Sequence, residues 1–289
     1  MNKQNLKQWA IELESKVAER ERIQQKQKRK VANELGTQII SLSRFVNSHN
    51  IMRLPIFSTK YVRNGRRTEP ICYSSQDGTI TFTVKGASGI PDQADANVLR
   101  YAVSKARKVR RKIGVMPERV DVTRYELLRA LGKSDSGNSY RKLEKTIECL
   151  AGMQLTGNVF RKDEIFTGTL VAFSYTYKAN GQIDKIRITF NEDFREHLEK
   201  EKAVLTIPSE ILRETNALRI RIMELVQAGM GYDARWAVKL KHLRELCAYT
   251  RQAKFLKQDI KKLKLPYSLT FVKAANGDQV IIFTRQTAY

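Results

Sequence analysis

The chain has 289 residues, 53 Lys and Arg against 30 Asp and Glu, and a formal net charge of +23. Its hydrophobic content of 42% suffices for packed cores and rules against wholesale disorder, and the length suits about two ordinary domains. No uncharged apolar run approaches the ~18 residues of a membrane span, and three scattered cysteines (Cys72, Cys149, Cys247) do not make a disulfide framework or a cysteine zinc site.

So large a positive excess opposes compaction by self-repulsion unless a polyanion lies close by. Anionic membrane would require a long amphipathic helix with a broad apolar face, which the sequence lacks, so nucleic acid is the expected partner. Met1 to Lys7 carry no apolar core of a secretory signal, and the expected location is the cytoplasm.

Residues 1–50 read as a basic helical arm. From Lys16 to Lys30 it has Lys16, Arg20, Arg22, Lys26, Lys28, Arg29 and Lys30 against Glu19 and Glu21. This stretch is either a solvated charged helix or an arm that touches phosphates or a partner. A short amphipathic patch follows from Leu35 to Val46.

Residues 51–200 form a first folded unit in this reading. Ile71–Tyr73 and Thr79–Val84 alternate around Asp77-Gly78, a hairpin pattern. Asp95–Val109 has helical spacing and leaves through Arg107, Lys108, Arg110, Arg111 and Lys112, with no acid among them. Val122–Leu131 is a short helix with Thr123 as N-cap, and a second helix runs from about Ser139 to Leu150, burying Leu143, Ile147 and Leu150. Strands are expected over Met153–Phe160, Phe166–Tyr177 and, after Asn180-Gly181, Ile183–Phe190. Asn191–Leu198 reads as a short charged helix.

Residues 201–289 form the second unit. Its first helix is expected over Ile211–Gln227 and its next over Trp236–Tyr249, where Trp236, Leu240, Leu243, Leu246 and Cys247 share a face. A basic helix then spans about Arg251 to Leu263, with Ala253, Leu256, Ile260 and Leu263 inward. Leu269–Lys273 and Gln279–Thr284 make a hairpin around Asn276-Gly277. Helix, turn, basic helix, hairpin is the order of a winged helix, and it occurs twice. The expected class is therefore α+β: two tandem winged-helix domains, each a helix-turn-helix plus a β-hairpin, preceded by the basic arm.

On that scaffold the groove-facing candidates in the second unit are Arg251, Gln252, Lys254, Lys257, Gln258 and Lys261. Arginine and lysine match guanine O6 and N7, and glutamine matches adenine N6 and N7. Arg251 and Gln252, nearest the helix start, are assigned to base edges, and the later lysines to phosphates. The equivalent set in the first unit is Asn138, Ser139, Arg141, Lys142 and Lys145, with Arg161 and Lys162 at its hairpin tip. Arg110 and Arg111 touch either DNA backbone or an acidic partner.

No catalytic constellation emerges. Gly132-Lys-Ser134 lacks the upstream glycine of a phosphate-binding loop, since position 127 is Leu, and it joins two helices. His49, His197 and His242 are far apart, without the paired histidines of a metal-dependent nickase, and Glu192, Asp193 and Glu196 sit on a charged helix beside Arg195. No enzymatic activity, no metal and no cofactor are expected.

An ordered set of segments resembles the plasmid replication initiator protein A family. They are Arg67-Thr-Glu-Pro-Ile-Cys-Tyr73, Asp95-Ala-Asn-Val-Leu99, Tyr125-Glu-Leu-Leu-Arg-Ala-Leu-Gly132, Tyr140-Arg-Lys-Leu143 and Leu150-Ala-Gly-Met153. Val204-Leu-Thr-Ile207 and Leu240–Leu246 fall where the family has its second domain. The likeness covers roughly residues 60–285 and leaves out the arm. It implies a bacterial protein that binds double-stranded repeats at a plasmid origin, helps to open the duplex and brings in a host helicase or initiator proteins. A transcriptional repressor on the same scaffold is the alternative, because fold does not fix function. Both monomer and homodimer remain open as the active form.

Overall fold

A computed structural model describes residues 3–38, 42, 45–59, 66–181, 183–200 and 204–286. The chain opens with a 34-residue helix, α1 (Lys3–Gly36), followed by β1 (Phe45–Ser48) and α2 (His49–Arg53). The hairpin β2 (Ile71–Ser74) and β3 (Thr81–Gly86) precedes α3 (Asn97–Ile113), β4 (Arg119–Val122), α4 (Arg124–Ala130) and α5 (Gly137–Ala151). Next come β5 (Met153–Gly157), β6 (Phe166–Gly168), β7 (Val171–Tyr177), β8 (Ile183–Phe190) and α6 (Glu192–Lys200). The remainder is β9 (Val204–Ile207), α7 (Ser209–Arg213), α8 (Ala217–Met230), β10 (Arg235–Lys239), α9 (Leu240–Leu246), α10 (Ala253–Lys262), β11 (Tyr267–Lys273) and β12 (Gln279–Arg285).

The strands form four antiparallel sheets, ordered β1-β9, β2-β3-β5-β6, β4-β8-β7 and β10-β12-β11. Two stretches share one element order. α3, β4, α4, α5, β7 and β8 correspond to α8, β10, α9, α10, β11 and β12. In each, the strand before the helix pair joins the last strand of the hairpin, so that the sheet orders match. The first copy differs by an excursion, because β5 and β6 leave after α5 to extend the β2–β3 hairpin.

Several expected elements take another form. Trp236–Lys239 is a strand paired with β12, not the start of a helix. Trp236 and Val238 alternate inward with period two, and the Trp236 ring stacks on Phe283 at 5.6 Å. Gly229 leaves space for that ring, since a Cβ there would lie 2.4 Å from it. The expected strand over Phe166–Tyr177 divides into β6 and β7, which belong to different sheets. The expected helix over Ile211–Gln227 breaks before Asn216, whose side chain accepts from the Arg219 amide and caps α8 anew. Of the amphipathic patch Leu35–Val46, residues 39–41 and 43–44 lie outside the described residues, and Phe45 and Val46 belong to β1.

One large core joins β2–β8 to α3–α6, and a second joins α8–α10 to β10–β12 around Leu243, Leu256, Ile260, Ile281 and Phe283. Buried polar contacts tie them together. Arg100 on α3 and Glu224 on α8 pair at 2.7 Å with side chains 3% and 2% exposed. Asn97 Nδ2 donates to the Ile211 and Leu212 carbonyls. Such groups are costly to bury unless they are bonded, so the pairing fixes how α3 meets α7 and α8.

Candidate nucleic-acid interface

In the C-terminal stretch, α9 ends at Cys247 and Ala248 takes φ 46°, the left-handed conformation that turns the chain into α10. The turn is held from outside. The carbonyl of Leu246 accepts from Arg221, that of Cys247 from Thr59 Oγ1 at 2.6 Å, and that of Ala248 from Arg67 Nη1 at 3.1 Å. Arg221 is fully buried and also donates to the Met52 and Arg53 carbonyls. Burial lowers the Arg67 and Arg221 guanidiniums from their ordinary value. Three successive carbonyls of the turn are thus anchored by residues far away in sequence.

α10 buries Leu256 and Ile260, as its periodicity predicts. Lys254, Gln258, Lys261 and Lys262 are exposed and Lys257 is half-buried. Arg251 and Gln252 lie just before the helix, Gln252 at the N-cap position without a side-chain cap bond. The cations lie over aromatic faces. Arg251 and Lys254 sit 4.2 and 5.1 Å from the Phe255 centroid, and Lys257 and Lys261 sit 5.0 and 5.4 Å from that of Phe271 on β11. A ring face orders a cation without neutralising it, so these charges stay available to phosphate. Arg251 has one weak opposing carboxylate, Asp259 at 3.6 Å, which also accepts from the Tyr249 hydroxyl. Burial and that bond push the Tyr249 phenol up to about 12.

Lys239 and Lys241, absent from the sequence-derived set, join this face. With Lys254, Gly277 and Gln279 they line a cleft between the starts of α9 and α10 and the β11–β12 turn. Lys239 pairs with Asp278 of that turn at 2.9 Å. Reading Trp236–Tyr249 as one helix hid both lysines. Their position next to the hairpin depends on β10 pairing with β12, a non-local contact.

In the first copy Thr123 caps α4 in a reciprocal box, its Oγ1 accepting from the Glu126 amide at 3.0 Å while Glu126 accepts from the Thr123 amide at 3.4 Å. Glu126 also receives the Tyr101 hydroxyl at 2.5 Å and faces the wholly buried Lys105 at 3.5 Å. Burial lowers the Lys105 ammonium, with Glu126 acting against it. Gly132, at φ 65°, turns the chain, and Ser136 caps α5 by accepting from the Ser139 amide. Leu143, Ile147 and Leu150 face the core, while Asn138, Arg141, Lys142 and Lys145 are exposed and Ser139 is half-buried. Arg124 lies 4.7 Å over the Tyr140 ring and 3.4 Å from Glu144, next to this face.

The remaining sequence-derived candidates fall elsewhere. Arg161 and Lys162 lie in the β5–β6 connection of the four-stranded sheet, not in the hairpin that accompanies α5, which is β7–β8 with its turn at Asn180-Gly181. Arg161 is engaged by Glu164 at 2.6 Å, Glu196 at 3.4 Å and Asp193 at 3.5 Å, and the Glu164 bond raises its guanidinium. Exposed Tyr177 and Lys178 instead flank the β7–β8 turn. Arg110 and Arg111 are at the C-terminal end of α3, where Arg110 donates to the Glu199 carbonyl at 2.7 Å. The histidines are on α2, α6 and α9, and among the described residues no cluster of three metal-binding side chains occurs.

The sequence profile of the replication initiator protein A family matches residues 46–269. The chain belongs to that family. The match begins in β1, after α1, and ends within β11, so it takes in the whole first element repeat and the second as far as β11. No curated protein matches the chain in sequence. Among solved structures, a selenomethionine derivative of domains 2 and 3 of RctB superposes with TM-score 0.58 at 14% identity, covering 83% of this chain and 99% of that one. A second structure of RctB domains 2–3 gives TM-score 0.54 at 11% identity, covering 83% and 97%. At such identities the likeness concerns the fold. Family and fold together support a replication initiator role. No helix among the described residues is long and apolar enough to cross a membrane.

Proposed function

We propose that the protein is a sequence-specific, double-stranded DNA-binding initiator, active in the bacterial cytoplasm, that binds repeats at a plasmid origin, promotes opening and recruits host replication proteins. In this reading residues 51–200 and 201–289 are tandem winged helices that deliver α5 and α10 to neighbouring stretches of major groove, and the chain works without catalysis or a cofactor. The observation that carries it is the repeated element order, in which each copy sets a helix with exposed cations before a closing β-hairpin. Family membership adds replication to DNA binding.

The roles divide by position. Arg251 and Gln252, at the start of α10, suit base edges, whereas Lys257, Lys261, Lys239 and Lys241 suit phosphates. With roughly eight phosphates neutralised, the logarithm of the binding constant falls against that of salt with a slope near −7. Over about a fourfold rise in salt that is a loss of about ten-thousandfold.

Footprinting on the replicon that encodes the protein, with permanganate to report unpaired thymines, tests the proposal. Protection of several direct repeats beside a reactive A·T-rich tract is the expected result. A single protected palindrome over a promoter, without reactive thymines, would instead indicate a repressor.

A further inference from the structure

α1 and the end of α3 meet in a way that the two groove-facing helices do not use. Ala32 is buried against Val109 and Val115, with Leu35 and Ile113 packed around them. Asn33 fastens the junction, accepting from the Glu118 amide at 2.7 Å and donating to the Glu118 carboxylate at 3.2 Å. Beyond this seat α1 is exposed from Glu14 to Lys30 apart from half-buried Arg29. A solvated spacer would mix its charges, but from Arg22 to Val31 the helix carries Arg22, Lys26, Lys28, Arg29 and Lys30 and no acid. The adjoining end of α3 carries Lys108, Arg110, Arg111 and Lys112, again with no acid. Among the described residues no ion pair engages Arg22, Lys26, Lys30 or Arg111.

The place of this surface follows from the sheet register. α3 ends at Gly114, and β4 begins with Arg119 opposite Thr189, near the end of β8 remote from the Asn180-Gly181 turn. β8 has eight residues, which is about 25 Å of strand, so the α1–α3 surface lies about a sheet's length from the hairpin tip. α1 then continues for about 50 Å in all. On one of its sides Arg22, Lys26, Arg29 and Lys30 line a common groove with Asn33 and Glu118. Cations four residues apart on a helix recur about every 6 Å, close enough to follow duplex DNA, which bears one charge per about 3.4 Å on each strand.

We propose that the α1–α3 surface is a second DNA-binding site, which takes the phosphodiester backbone of duplex outside the segment gripped by α5 and α10. It shares with the reading above only the class of ligand. Its contacts are to the phosphodiester backbone, which lysine and arginine side chains engage without regard to sequence.

The test is the full chain with Arg22→Glu, Lys26→Glu and Lys30→Glu together. Glutamate preserves helix propensity, and none of the three side chains enters a core, so an unchanged helical signal and melting temperature serve as the folding control. Binding to random-sequence duplexes of about 20 bp, which two adjacent groove-facing helices occupy, and about 60 bp is followed across a salt series. On the longer duplex the salt slope should become shallower by about 2.7 and affinity at 0.1 M salt should fall about 500-fold, while the shorter duplex is bound as before. Equal losses on both lengths would place α1 within the main footprint and overturn the proposal. So would unchanged binding to both, or a loss confined to a polyglutamate probe, the latter marking an acidic protein partner. Failure of the unaltered chain to bind either duplex would count against the DNA-binding reading itself.

Discussion

Glu224→Gln probes how firmly the two repeats are joined. Arg100 spreads its donors over four acceptors: Glu224 Oε1 at 2.7 Å, the Gln93 carbonyl at 2.6 Å, Asn97 Oδ1 at 2.8 Å and Gln93 Oε1. Three of them are neutral, so Glu224 is the charge that balances the guanidinium among them. Glutamine keeps the volume and one acceptor but leaves Arg100 an uncompensated cation with its side chain 3% exposed. Removing one partner of such a pair costs about 3–5 kcal/mol, and the retained amide bond places this case near about 3. With a urea m-value of about 3 kcal/mol/M, the unfolding midpoint should fall by about 1 M. Arg100→Met should cost at least as much, because it also strands Gln93 and Asn97. The double variant should lose less than the sum of the two by about 2 kcal/mol, since no isolated charge remains. A loss below about 1 kcal/mol for Glu224→Gln, or strictly additive losses, would show that water screens the pair and refute the reasoning.

Arg251→Ala should relax base preference, since one arginine–guanine pair contributes about 1–3 kcal/mol of discrimination, whereas Lys261→Ala should weaken binding to every sequence alike and lower the salt slope by about one. Competitive titration with matched and scrambled sites separates the two, and the reverse pattern would exchange their roles. Leu256→Ala, at a fully buried position of α10, should cost about 2–5 kcal/mol in thermal or urea unfolding and reduce DNA affinity through loss of helix order. A disulfide exchange reagent at pH 8 should modify only Cys72 in the native protein. Cys149 and Cys247 are buried, and burial pushes their thiols up to about 11 and about 12, so both should react only on unfolding.

Much of this architecture is local and could be read from the chain. The Thr123 cap, the inward faces of α5 and α10, and the Asp77-Gly78, Asn180-Gly181 and Asn276-Gly277 turns all appear where spacing and turn chemistry put them. So does the run of cations on α10, because each of these signals needs only residues within one helical turn or one hairpin. Trp236–Lys239 shows where such reading fails: three successive apolar residues and a lysine also fit the start of an amphipathic helix, and only pairing with β12, over 40 residues away, selects the strand. β4 and β9 likewise carry no local strand signal, because the partners that close them, β8 and β1, are far off in sequence.

The sequence by itself determined the excess of positive charge, the identity of the two basic helices and the family to which the chain belongs. The tertiary structure decided which cations share a surface. It drew Lys239 and Lys241 to α10, turned Arg161 toward three carboxylates, and placed Arg110 and Arg111 at the end of α3, about a sheet's length from the β7–β8 hairpin tip. It also decided what holds the α9–α10 turn, since Arg221, Thr59 and Arg67 reach it only after the chain has folded back. Periodicity reports on neighbours along the chain, whereas buried charges and sheet edges are satisfied by whatever group the fold brings within bonding distance.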